Sequence, residues 1–230
     1  CALTRSADHY KMSLRSPRLL PKLAILDPAL LRTLPRSVAA TSGMDALTHA
    51  IEGFLSVRAS PMSDLFALEA MRLIAQNIRP FVANPENLNA STQMLTGSML
   101  AGLVISNTGT GNDHALARAL GGLCDVAHGT ATALLLPEVL RFNASAQPER
   151  FEQMANAMGI STAGTPRENA HVLVEEMSAL LDELGVPRRL KDVGVNESQI
   201  PGLVEVALKN VGPNPRRTSA KDLENILRSI

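Results

Sequence analysis

The 230-residue chain is 45% apolar and carries 22 basic against 22 acidic residues. A chain of that length and apolar content buries a real core, as one large domain or two small ones, which excludes a disordered segment. Balanced charge with no long run of either sign offers nothing to track a phosphate backbone, so nucleic acid is not expected as a partner. The two cysteines, Cys1 and Cys124, are too few for a disulfide framework and fit a reducing, cytoplasmic compartment. The opening CALTRSADHYKMSLRSPRLL is polar, with Arg5, Lys11, Arg15 and Arg18 and no apolar block, and reads as neither signal peptide nor membrane span. The first residue is Cys1 rather than methionine, which points to an upstream N-terminus and a piece of something longer.

In chain order, CALTR and YKMSL flank the polar SADH as a hairpin would, and KLAILD is a third apolar run of strand length. From Pro28 onward the spacing turns helical, with breaks at Pro61, Asn84 to Pro85, Gly109 to Gly111, Gly121 to Gly122, Pro148, and Gly164 to Pro166. Leu65, Leu68, Met71, Ile74 and Ile78 form an amphipathic stripe with Ser60 or Ser63 as its cap. ENAHVLVEEMSALLDELGVP and SAKDLENILRSI repeat that scaffold design. STQMLTGSMLAGLVISNTGTG has almost no charge, which predicts a helix buried on most sides.

Of five histidines, His49, His114 and His128 fall in weakly charged apolar segments, whereas His9 and His171 lie in polar or surface-patterned ones. Asp45 and His49 stand four apart on one helix and reach a common point, which fits a shared metal ion and equally a hydrogen-bonded pair that serves packing. His114 opens HALARALGG after TGTGND, and His128 sits at the first turn of DVAHGTATALLLPEVL. A lone histidine in such a segment is usually a satisfied core residue. Taken with Asp45 and His49, however, one carboxylate and three neutral imidazoles would fill four positions around a divalent first-row metal, Fe(II) or Zn(II), and leave room for a substrate oxygen. The glycines of NTGTGND follow no strand and lack the full dinucleotide fingerprint, so they read as a helix break with Asn112 or Asp113 capping the next helix. Cys124, near His128, is a thiolate ligand or nucleophile on one reading and a small buried hydrophobe on the plainer one.

GMDALTHAIE, SNTGTGNDHALARALGG and DVAHGTATALLLPEVLRFN together resemble the signature regions of the iron-containing (class III) alcohol dehydrogenases, and the likeness runs over nearly the whole chain. The resemblance implies a metal held by one Asp and three His, at Asp45, His49, His114 and His128. Related glycerol dehydrogenases and dehydroquinate synthases use a carboxylate and only two His, so His49 favours the iron-type branch. The family's Gly-rich loop for the NAD(P) pyrophosphate has no match here. The resemblance therefore makes residues 1–35 the C-terminal remnant of an α/β cofactor-binding domain and residues 36–230 a helical metal-binding, catalytic domain. Lys11 falls where members place a lysine near the cofactor, although a lone lysine after a hairpin is also simply solvated. One departure stands out: where members commonly carry a second histidine, this chain has Arg118, which cannot shuttle protons at neutral pH.

The expected fold is mainly α, a multi-helix metal-binding domain preceded by the short β-containing end of an absent α/β nucleotide-binding domain. The expected function is the metal part of an NAD- or NADP-linked alcohol dehydrogenase acting on a small alcohol or aldehyde, with Arg118 beside the substrate and no membrane partner. A homo-oligomer stays open. Without the cofactor loop the fragment itself is expected to be inactive. The alternatives are a non-catalytic or degenerate helical metal module, which Arg118 and the missing loop favour, and a dehydroquinate-synthase-like enzyme.

Overall fold

Proline and short polar caps divide the chain into helices. The computed structural model describes residues 2–5, 10–13, 16–19 and 21–230. Strands β1 (Ala2–Arg5) and β2 (Tyr10–Ser13) pair antiparallel with Leu3 opposite Met12, the hairpin expected from CALTR and YKMSL. Cys1 and His9 lie outside the described residues, as does the side chain of Lys11. The helices are α1 (Arg36–Leu55), α2 (Pro61–Ala83), α3 (Leu88–Thr108), α4 (Asn112–Leu123), α5 (His128–Asn143), α6 (Pro148–Met158), α7 (Pro166–Leu184), α8 (Ile200–Leu208) and α9 (Ala220–Arg228). Ser60 caps α2 through a reciprocal box with Ser63, and Thr165 with Glu168 and Ser219 with Asp222 do the same for α7 and α9. Each box satisfies N–H groups that the first helical turn leaves without a partner. Among the described residues no helix is long and apolar enough to cross a membrane.

Two apolar cores share one helix. The first gathers α1, α2, α3, α6 and α7 around Leu47, Phe54, Ile74 and Phe151. The second joins α4, α8 and α9 through Leu116, Leu120, Leu203 and Leu223. Between them, α5 turns Ala133, Leu136 and Leu140 to the first core and Ala131, Leu134, Leu135 and Val139 to the second. Those two stripes at helical spacing make α5 a wall buried on both sides.

Four expectations need correction. KLAILD makes no strand: residues 21–27 join no ladder, the described sheet has two strands, and Leu23 and Ile25 are 76% and 80% exposed. An apolar run needs a neighbouring strand to pair with, and among the described residues the sheet pairs β1 with β2 alone. The uncharged α3 buries one face only, through Met94, Gly97, Ala101 and Val104, while Met99 and Leu103 are exposed; absence of charge does not mark burial by itself. Leu65 is exposed, since Ala67, Ala70 and Leu73 join Met71, Ile74 and Ile78 in the α2 stripe and rotate it away. The glycine pair 121–122 is inside the last turn of α4 instead of breaking it.

One cation ties three helices of the first core together. Arg150, in the first turn of α6, pairs with both carboxylate oxygens of Asp64 on α2, at 3.0 and 2.7 Å. It also donates to the Phe54 carbonyl of α1 and lies 3.7 Å over the Phe54 ring. Partial burial makes these charge-assisted bonds count, and Arg150→Met leaves Asp64 without its cation. That variant is expected to lose about 2 kcal/mol in denaturant unfolding; a loss indistinguishable from zero would show the pair to be solvated and idle.

Candidate metal centre

The candidate ligands come from both sides of the seam between the cores. On α1, Asp45 and His49 are one turn apart and Glu52 follows on the same face. His114 lies in the first turn of α4, and His128 opens α5. Gly129 lets α5 start hard against α1, because a Cβ there would sit 2.8 Å from the Thr41 carbonyl oxygen. That close approach delivers His128 to Asp45.

All three imidazole Nε2 atoms converge on one oxygen, Asp45 Oδ1, at 3.6 Å from His114, 3.7 Å from His128 and 4.0 Å from His49. Asp45, His114 and His128 form the tight group, with ligand atoms within 4.8 Å of one another. His49 stands alongside, its ring stacked on His114 with centroids 4.5 Å apart. These separations are long for hydrogen bonds, which cluster near 2.9 Å. They come close to the roughly 3.4 Å edge of a tetrahedron whose corners lie about 2.1 Å from a central ion. Asp45 Oδ1 and His114 Nε2 are buried without a hydrogen-bond partner. These two orphaned atoms, with the other imidazole nitrogens converging at that spacing, suit a cation between them, so the donor set fits a first-row divalent ion.

The support beneath the candidate ligands is buried as well. Glu52 Oε2 lies 2.7 Å from His114 Nδ1, and its Oε1 accepts the Asp113 backbone N–H at 2.7 Å. A carboxylate on Nδ1 fixes that nitrogen as the N–H and turns the Nε2 lone pair toward Asp45. Burial alone would push the Glu52 carboxyl up; the hydrogen bond and charge of His114, with the Gly111 and Asp113 N–H groups, outweigh it and hold the carboxyl below its usual value. Burial, then the charge of His114, lowers His49 to about 4, leaving it a neutral donor at pH 7. Burial, then Glu52 and Asp45, raises Asp113 well above the usual carboxylate range.

Glu52 is the residue that sequence reasoning missed. Its signal was present, since Asp45, His49 and Glu52 follow the i, i+4, i+7 pattern of one helical face. Asn112 and Asp113 do not cap α4: Gly111 holds the N-cap position, Asn112 pairs with Thr218, and the Asp113 side chain is buried. Arg118, one turn beyond His114, donates from Nη2 to Thr110 Oγ1 at 3.0 Å. Cys124 is half-buried, its Sγ accepting from Gln199 Nε2 at 3.4 Å, and it stands apart from the tight group.

The family model described as "Fe-containing alcohol dehydrogenase family, C-terminal" matches residues 39–230. The 1,3-propanediol dehydrogenase of Citrobacter freundii is 41% identical over 99% of this chain and 60% of its own length. Lactaldehyde reductase of Escherichia coli (strain K12) is 37% identical over 96% of this chain and 58% of its own. A crystal structure of 1,3-propanediol oxidoreductase superposes with a TM-score of 0.96 at 40% identity, over 100% of this chain and 61% of that one. The chain thus spans about three-fifths of the length of these relatives. With a family model along most of its residues and such relatives along nearly all of them, the chain belongs to the iron-containing alcohol dehydrogenase family and corresponds to its C-terminal region.

Proposed function

We propose that residues 36–230 are the metal-binding, catalytic domain of an NAD(P)-linked alcohol dehydrogenase acting on a small alcohol or aldehyde, and that residues 1–35 end its cofactor-binding domain. The observation that carries this reading is the convergence of three Nε2 atoms on Asp45 Oδ1. Fe2+ or Zn2+ held by Asp45, His49, His114 and His128 would supply a Lewis acid that polarises the substrate oxygen while hydride moves to or from nicotinamide. The chain's own residues prepare that site. Glu52 keeps the proton of His114 on Nδ1, and burial keeps His49 neutral. The side chain of His128 is 33% exposed against 4% for His114, so substrate reaches the cluster from the His128 side. Lys11 sits on β2, which packs against α4, and we assign it to the cofactor. The dehydrogenases among the relatives and the low cysteine count support a cytoplasmic enzyme.

Elemental analysis after reconstitution is expected to find close to one iron or zinc per chain, and Asp45→Ala or His128→Ala to lose it. Unchanged metal in both variants would sink the ligand assignment. The same preparation, holding no pyrophosphate loop in its 230 residues, is expected to oxidise no simple alcohol with NAD or NADP; clear turnover would refute that part of the reading.

Acid gives an independent measure of His49 in metal-free protein. The unfolded chain takes up the His49 proton near 6.5, the fold only near 4, so between these values the unfolded state holds more protons and stability rises with pH. The contribution is complete above 6.5 and is gone once the pH has fallen through about 4. Chelator-treated wild type is expected to lose Tm across that window more steeply than His49→Gln, and equal slopes would contradict a neutral, buried His49.

Arg118 directs the choice of substrate in this reading. A guanidinium fixed by Thr110 one turn from His114 favours an alcohol that carries a carboxylate or phosphate. In protein that includes the cofactor-binding half, Arg118→Ala is expected to lower the ratio of kcat/KM for an anionic over a neutral alcohol of similar size. An unchanged ratio would leave Arg118 as a brace for the Thr110 turn.

A further inference from the structure

The turn that presents His114 does not hold itself. Gly111 and Asp113 supply the N–H groups that grip Glu52, yet α4 packs chiefly against α5 and α8 and meets α1 mainly through polar side chains and the His49–His114 stack. What spans the gap is residues 212–218, Gly-Pro-Asn-Pro-Arg-Arg-Thr, between α8 and α9. We propose that this segment is a strap that positions the metal site, with Asn214 and Thr218 as its positioning residues; the metal part of the proposal rests on the reading above.

Each end of the seam is tied to the strap. At the α1 side, the Val57 N–H donates to the Pro213 carbonyl at 3.0 Å, just past the end of the helix that carries Asp45, His49 and Glu52. Before α4, Gly212 lies so close that a Cβ there would stand 1.8 Å from the Thr110 carbonyl oxygen, a separation that only glycine permits. At the start of α4, Thr218 Oγ1 accepts from Asn112 Nδ2 at 2.9 Å. At the end of α5, Asn214 and Asn143 exchange amide hydrogen bonds of 2.8 and 3.1 Å, and Arg216 donates to the Phe142 carbonyl at 3.0 Å with its guanidinium over the Phe142 ring. The strap therefore reaches the chain just past α1, the start of α4 and the end of α5, the three helices that carry the candidate ligands.

Asn214 also bears directly on the Glu52 grip. A Cβ at Gly111 would lie 2.9 Å from Glu52 Oε1 and 3.0 Å from Asn214 Oδ1, so the Gly111 backbone is held between the carboxylate and the amide. Asn214 and Pro215 further wall, with Leu136, Val139 and Leu140, a small cavity behind Glu52. Remove the amide and the turn can back away from Glu52, which loosens the N–H groups it accepts and with them the orientation of His114. Residues that orient a metal-bound histidine typically change metal affinity by about 10-fold or more when lost.

The test uses two readouts and a control. Asn214→Ala and Thr218→Val remove the two contacts, Thr218→Ser restores the hydroxyl, and Thr165→Ala removes a helix cap on α7 away from the strap. In metal-free protein, exchange of the Asp113 backbone N–H, which donates to Glu52, is expected to be about 10-fold faster in Asn214→Ala and Thr218→Val than in Thr165→Ala, with Thr218→Ser near wild type. In iron- or zinc-loaded protein the same two variants are expected to release metal to a chelator about 10-fold faster. If wild type binds no metal, the ligand reading fails and the exchange arm still decides on the strap. Exchange of Asp113 no faster in Asn214→Ala and Thr218→Val than in the control would overturn the proposal, whatever happens to Tm. Should Asn214→Ala fail to fold, the Thr218→Val and Thr218→Ser pair carries the same decision.

Discussion

The bond between Glu52 and His114 is the one contact on which the site depends, because it joins the two cores at their seam. Glu52 belongs to α1 and the first core, His114 to α4 and the second. Taking a carboxylate out of water costs several kcal/mol unless its oxygens find partners. Glu52 finds them in the His114 ring and in the backbone N–H groups of Gly111 and Asp113. Because all its partners lie on the α4 side, any shift of one core against the other leaves a buried carboxylate partly unsatisfied. A continuous apolar interface can slide with little loss, but a hydrogen-bonded carboxylate across a seam cannot. The geometry at Asp45 is thus set by a residue that is no ligand.

The charges around that bond are lopsided. Asp45, Glu52 and Asp113 lie close enough for Glu52 and Asp45 to help raise the Asp113 carboxyl. Facing them are imidazoles, of which His49 is held neutral. Glu52 and Asp45 set up a local negative potential, which is why both help to raise Asp113, and the imidazole nitrogens are aimed at the same place. A divalent cation relieves that potential directly, whereas a neutral ligand would not. Helix placement adds to the contrast: Asp113 lies in the first turn of α4, where the helix dipole favours negative charge, yet burial still pushes it up.

Much of this was legible in the sequence, for physical reasons that also mark where the reading stopped. Asp45 and His49 could be joined because helical periodicity turns a spacing of four into a shared face. His114 and His128 could be added because histidines are few and these two stand in apolar surroundings. Glu52 obeyed the same periodicity and was passed over, since a glutamate in a helix is ordinarily a solvated residue and only the fold reveals that it is buried. The strap was less accessible still. Its contacts run from residue 143 to 214 and from 112 to 218, and no local pattern encodes pairings that distant. Composition misled at α3, where lack of charge suggested burial and the outer face proved apolar but exposed.

A candidate metal site shared between two cores ties its geometry to how those cores are held together. If the ligands had all come from α1 and its neighbours, their spacing would follow from close packing within one core, which tolerates little movement. Here, Asp45 and His49 come from one core, His114 from the other, and His128 from the helix that both share. Their convergence within 4.0 Å of one oxygen requires that relative placement be fixed by directional bonds rather than by burial alone. Gly129 sets α5 against α1, Glu52 sets α4 against α1, and each does so through contacts whose energy falls steeply with distance. The seam leaves His128 the most exposed member of the cluster, whereas groups inside a single packed core would be closed to solvent. Access and rigidity oppose one another at such a seam, and the polar contacts across it are what allow both.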